Sequence, residues 1–318
     1  MPDPWRFLAA MGLAAGLAAL AVALGGRRGR ARRAAEAGVS RSSRAFWIVG
    51  IGAAWWLGCR WLGLRIHWPP SEDLDRLFLV LWPATLGVEL VVCVLPDRWK
   101  PAWLMRLAVS AAAAPTLLFG SIYVCDLAGP GSRRWTTWQT LAIFGLLAIA
   151  LAGVWASLAK LAGQSAGRSV VLAAAMCSAA AGIAIMLSGS MTAGQIGLPL
   201  AAALAGASAT SLVIGGPQGD SAAIGPAVVG LFALIVVGRF FADLTTLHAV
   251  LLFTATLGCW VSALPYIRNL RPAMIGTCRL AAVAVPLAIV VIQAQSRFAA
   301  NAASAGEYGA YGAAAPGH

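Results

Sequence analysis

The chain has 318 residues, 60% of them hydrophobic and only 11% charged, with a mean hydropathy of +0.81 and a net charge of +12. A soluble domain carries about 25% charged residues, so this composition excludes ordinary water-soluble domains and calls for lipid as the solvent. No nucleic acid is expected as a partner: the basic residues sit between apolar runs, where they read as topology signals and contacts with anionic lipid, rather than in one basic domain.

Each apolar run of about 18 residues or more is a candidate membrane-spanning helix. Such runs fall near 7–25, 45–64, 77–95, 102–124, 138–161, 169–187, 195–214, 222–242, 246–265 and 279–294, the last being short. The expected fold class is therefore all-α, a polytopic transmembrane helix bundle of about ten helices within residues 1–297. Residues 298–318 are small, aperiodic and low in complexity, and are expected to form a disordered tail. Arg outnumbers Lys 21 to 2, which with the Ala and Gly excess points to a GC-rich bacterial genome and hence to the bacterial inner membrane.

The first run carries Gly12-x-x-x-Gly16, a spacing that lets helices approach closely. A basic stretch follows, Arg27, Arg28, Arg30, Arg32, Arg33, Arg41 and Arg44. The positive-inside rule keeps it in the cytoplasm against anionic lipid and puts the N-terminus outside. With each charge counted to its nearer side, the inside holds 15 of the 23 Arg and Lys and the outside seven, Arg60 being left over. Arg133 and Arg134 run against this bias.

The second run holds Trp47, Trp55, Trp56, Trp61 and Arg60, and the third holds Glu89, the one carboxylate deep inside an apolar run. An ionisable residue at such a position faces the bundle interior, pairs, and marks a site. Arg60 and Arg106 are its candidate partners. At 1.5 Å per residue, Glu89 lies about 18 Å below the outer end of its helix and Arg60 about 6 Å below. Measured from the cytoplasmic ends, Glu89 and Arg106 stand about 9 and 6 Å in, which favours Arg106. Both a structural ion pair and a lone, protonated Glu89 that couples to protons or substrate stay open.

The connection Arg65–Arg76 combines His67, Trp68, two prolines and three carboxylates on the outer face. It reads as a rigid turn with interfacial tryptophans, or as an outward-facing recognition element. Arg239 and Asp243 stand four apart and would share a helix face, with His248 following, so His67, Arg239, Asp243 and His248 make a candidate outer-face site. Ser208 and His248 lie at different depths and do not read as nucleophile and base. The six cysteines are scattered, without the spacing of a zinc site or disulfide framework. The Gly-rich stretch Ser188–Gly197 reads as a tight turn in which Gln195 could line a cavity. Neither a bound cofactor nor enzymatic activity is expected.

The segments His67-Trp68-Pro69-Pro70, Asp75-Arg76 with Glu89, and Val237-Gly238-Arg239-Phe240-Phe241 before Leu244-Thr245-Thr246 are similar to uncharacterised multi-pass bacterial inner-membrane proteins. That resemblance covers most of the chain and implies no activity. In size and helix count alone the chain resembles the drug/metabolite transporter class, which normally starts in the cytoplasm. Transport of a small solute is the leading expectation. The alternative is a non-catalytic membrane scaffold or assembly component.

Overall fold

A computed structural model describes residues 4–33, 41–70, 72–95, 101–126, 133–164, 167–214, 220–268 and 270–313. The structure is 86% helical, with no strand among the described residues. Its helices are α1 (Pro4–Arg33), α2 (Arg41–Trp61), α3 (Asp73–Arg76), α4 (Trp82–Val94), α5 (Pro101–Leu118), α6 (Thr137–Gln164) and α7 (Arg168–Leu187). They continue with α8 (Met191–Gln195), α9 (Gly197–Ile214), α10 (Ile224–Phe241), α11 (Thr246–Ala255), α12 (Pro265–Arg268) and α13 (Pro272–Ala313).

Every expected run is helical, and among the described residues eight helical segments are long and apolar enough to cross a membrane. The chain is a multi-pass membrane protein with an all-α polytopic bundle. Two runs fall outside those eight. The run expected at 45–64 is α2, whose tryptophans and terminal arginines dilute its hydropathy, and the run expected at 102–124 is helical only to Leu118. The short tenth run belongs to a longer helix, with an apolar stretch from Ala273 to Asn301. That helix continues to Ala313, through most of the segment expected to be a disordered tail. The alanines between Ala299 and Ala305 favour helix at the start of this segment, whereas Gly306, Gly309 and Gly312 do not; residues 314–318 lie outside the described residues.

At the centre stands α10. Ile224 to Gly238 are all buried, and 94% of its apolar window is enclosed by protein. A helix hydrophobic all round belongs in a core, and here α4, α5, α6, α7, α9 and α11 all pack against it.

A second layer, α1 with α2 and α9, packs through small residues. The Gly12/Gly16 face is not the one used, because a Cβ at either position would meet nothing. The contact face is Ala10, Ala14 and Ala18, all fully buried. Gly206 of α9 lies so close to the Ala15 backbone that a Cβ there would come within 2.4 Å of its carbonyl oxygen.

Glu89 is placed by a break in helical register. Leu77–Leu81 form a π turn between α3 and α4. Pro83 follows it, and a proline clashes with the carbonyl four residues back and cannot donate to it, so a locally widened turn accommodates the ring. One extra residue in a turn rotates all that follows by about 100°. The rotated face carries Thr85, Glu89 and Cys93 inward.

Candidate functional site

Glu89 and Arg106 form a bidentate pair. Arg106 Nε donates to Glu89 Oε1 at 2.8 Å and Nη2 donates to Oε2 at 2.9 Å. The fork of a guanidinium fits a carboxylate in this way, and charged hydrogen bonds are roughly twice as strong as neutral ones. Glu89 is only 1% exposed, whereas 29% of the Arg106 side chain remains accessible.

Other elements close over the pair. Gly225, at the start of α10, lies against the carboxylate, where an added Cβ would come within 2.6 Å of Oε1. That contact also sets the carboxylate at the positive N-terminal end of the α10 dipole. The Arg106 guanidinium lies 5.6 Å from the ring centroid of Trp155 on α6, within cation–π range. Trp155 Nε1 approaches the carboxylate without reaching hydrogen-bond geometry. Thus α4, α5, α6 and α10 meet at one charge pair. Gly225 and Trp155 carry no signal in the sequence that would single them out, because their role depends on which helices become neighbours.

Arg60 does not join this site. It is exposed at the end of α2, where Nη1 donates to the Leu64 carbonyl at 3.2 Å and the guanidinium lies 6.0 Å from the Trp56 ring. The helix ends at Trp61 rather than Leu64, so the carbonyl that Arg60 satisfies belongs to the turn that follows the helix. Of the stretch Arg27–Arg44, the side chains of residues 28–42 lie outside the described residues; Arg27 is exposed and Arg44 is half-buried.

The four outer-face candidates separate. His67 is largely exposed on the connection after α2. Its backbone N–H donates to Asp75 Oδ1 at 3.0 Å, and its Nδ1 lies 3.8 Å from Oδ2. Asp75 is fully buried and also accepts from the Glu72 N–H, so the connection is folded around this one carboxylate.

Arg239 and Asp243 do not share a helix face. The helix stops at Phe241, Ala242 leaves helical geometry, and Asp243 adopts φ +43°. Arg239 Nε donates instead to Thr246 Oγ1 at 2.8 Å. His248 is not at the surface: it is buried on α11, with Nε2 2.9 Å from Gln293 Oε1 on α13. Ser208 Oγ donates to its own helix at the Leu204 carbonyl, apart from His248.

Two half-open cavities adjoin opposite ends of α9. The first, about 330 Å³, lies at the connection after α2 and is lined by Cys59, Arg65, His67, Glu72, Thr192 and Gln195, among others. Ile196, just before α9, closes its floor and accepts from Trp55 Nε1 at 2.9 Å. The second, about 390 Å³, lies between α7, α9 and α13, and its lining includes Arg168, Ser169, Ser208, Leu212, Thr277 and Arg279. From Ile196 at the first cavity to Ser208 at the second the helix rises about 18 Å. Between them Leu200, Ala203, Leu204 and Ala207 are fully buried.

Among the described residues no group of three or more His, Cys, Asp or Glu could hold a metal ion. The six cysteines are free; four are buried as small apolar fillers and two are half-buried. The sequence matches no protein-family model and no curated protein.

Proposed function

We propose that this protein is a small-solute transporter or permease of the bacterial inner membrane, with its N-terminus outside, and that it is not an enzyme. One observation carries the reading: two half-open recesses at opposite ends of α9, separated by about 18 Å of helix whose inward side chains Leu200, Ala203, Leu204 and Ala207 are buried. Alternating access needs such an arrangement, a site reached from one side at a time as one group of helices rocks against another. The Glu89–Arg106 pair lines neither recess. It braces α4, α5 and α10, the fixed body against which α9 and its neighbours would move. The Arg27–Arg44 stretch contacts anionic lipid on the cytoplasmic side, and nucleic acid plays no part.

A membrane scaffold is the second reading. It is favoured by the enclosure of α10 and by the closed Glu89–Arg106 pair, which leaves Glu89 no water-exposed face on which to carry a proton.

Substituted cysteines separate the two. In a cysteine-free background, single cysteines at Leu200, Ala203 and Leu204 are treated with a membrane-impermeant maleimide in right-side-out and inverted vesicles. Transport predicts labelling of the middle of α9 from both sides; a scaffold leaves these positions unlabelled from either.

A further inference from the structure

The cavity between α7, α9 and α13 has a definite chemistry. Its described lining holds two guanidinium groups, Arg168 and Arg279, three hydroxyls and no carboxylate. Arg279 is 3% exposed although it stands inside the apolar stretch of α13. Ser169 Oγ accepts from its Nη1 at 2.9 Å, which ties the guanidinium to the start of α7, where Arg168 lines the same cavity. Both arginines also take part in further interactions.

The remaining wall is apolar: Leu172, Leu212, Ala273, Ile275 and Leu280. Leu212, on this wall, and Met274, between two lining residues, are both exposed, so the mouth of the cavity is flanked by apolar side chains at the protein surface. An ionisable residue inside a membrane segment marks a ligand or ion site by default. Arginine pairs recognise phosphate through parallel charged hydrogen bonds, and basic pockets between membrane helices take anionic headgroups.

We propose that this cavity binds a phosphate monoester or diester of net negative charge, held by Arg168 and Arg279, with any apolar chain it carries against Leu172, Leu212 and Leu280. An anionic phospholipid entering from the bilayer is one source of that chemistry and a soluble phosphate ester is the other. The proposal deepens the transport reading by naming what the inner recess holds. Binding at equilibrium is measured apart from alternating access, so either can fail alone.

The test uses the purified full chain in detergent, its unfolding followed by intrinsic tryptophan fluorescence. Short-chain phosphatidylglycerol, phosphatidylcholine, glycerol phosphate and inorganic phosphate are each titrated in. Phosphatidylglycerol, glycerol phosphate or both should raise the unfolding temperature at concentrations about tenfold below those needed with phosphatidylcholine, one tenfold step being the loss of one charged contact. A response to phosphatidylglycerol alone assigns the source to the bilayer, and a response to glycerol phosphate or phosphate assigns it to soluble esters. Arg168→Gln should shift the midpoint upward about tenfold. Arg271→Gln, at an exposed position that does not line the cavity, should leave it in place. Arg279→Gln should also shift the midpoint upward; where it does not fold, Ser169→Ala, which removes one hydrogen bond that holds its guanidinium at the wall, replaces it and should shift the midpoint in the same direction. Equal responses to phosphatidylglycerol and phosphatidylcholine with none to the soluble phosphates, or an unchanged midpoint in Arg168→Gln, overturn the proposal.

Discussion

Stripping a carboxylate and a guanidinium of water is costly, and removing one partner of an enclosed pair costs more than removing both. Glu89→Ala strands Arg106 against Trp155 and should destabilise by about 3–5 kcal/mol, as broken buried pairs do. Removing Arg106 as well should recover much of that loss. The check is a double-mutant cycle on the thermal stability of detergent-solubilised protein; additive losses would show that the two side chains do not support each other. Gly225→Ala probes the same site from α10. Its Cβ would overlap the carboxylate, so it should cost about 1–3 kcal/mol by overpacking. In the Glu89→Ala background it should become nearly neutral, which a general weakening of α10 would not produce. The Glu89–Arg106 pairing was legible because depth along two consecutive helices is simple arithmetic. The Arg239–Asp243 pairing was misread because a spacing of four implies one face only while the helix continues, and it stops at Phe241.

At the scale of elements, glycine position outweighs glycine spacing. The Gly12/Gly16 pair faces no neighbour, whereas Gly182, Gly194 and Gly197 bring α7, α8 and α9 into backbone contact. A Cβ on Gly182 would lie 2.8 Å from the Gly194 carbonyl oxygen and 3.3 Å from the Gly197 Cα, and backbone atoms cannot swing aside as side chains do. Gly182→Ala should therefore lower the unfolding temperature, by about 1–3 kcal/mol of stability. Gly87→Ala, at a site with open space, should be neutral or stabilising. Equal effects from the two would place the close contact elsewhere. Hydropathy located the eight segments long and apolar enough to span because length and apolarity are local properties. The π turn at Leu77–Leu81 was not visible, although Pro83 was, because a proline can be accommodated by a kink, a widened turn or a helix start. The tryptophans divide in the same way. Trp68 and Trp138 are exposed near helix ends, as an interfacial belt requires, whereas Trp47, Trp55 and Trp155 fill the core.

At the scale of the whole molecule, α10 rather than the tryptophan-rich second run or the Glu89-bearing third is the centre of the bundle. A helix of Ala, Val, Gly and Leu reads alike whether lipid or protein surrounds it, so its enclosure could not be read from the sequence. Orientation is a separate matter, set by arginine distribution. Reporter fusions at residue 36 should read inside and fusions at residue 72 outside; the reverse would overturn the N-outside orientation and renew the comparison with transporters that start in the cytoplasm.

Transport requires the two recesses of α9 to open in alternation, and distances across them report this most directly. Spin-label pairs at Leu62 and Thr192, and at Leu172 and Ala273, span the outer and inner recess respectively. Pulsed electron paramagnetic resonance in lipid nanodiscs reads each distance distribution. Transport predicts two populations for each pair, with conditions that widen the inner distance narrowing the outer one. A single, condition-independent population at both pairs would contradict it.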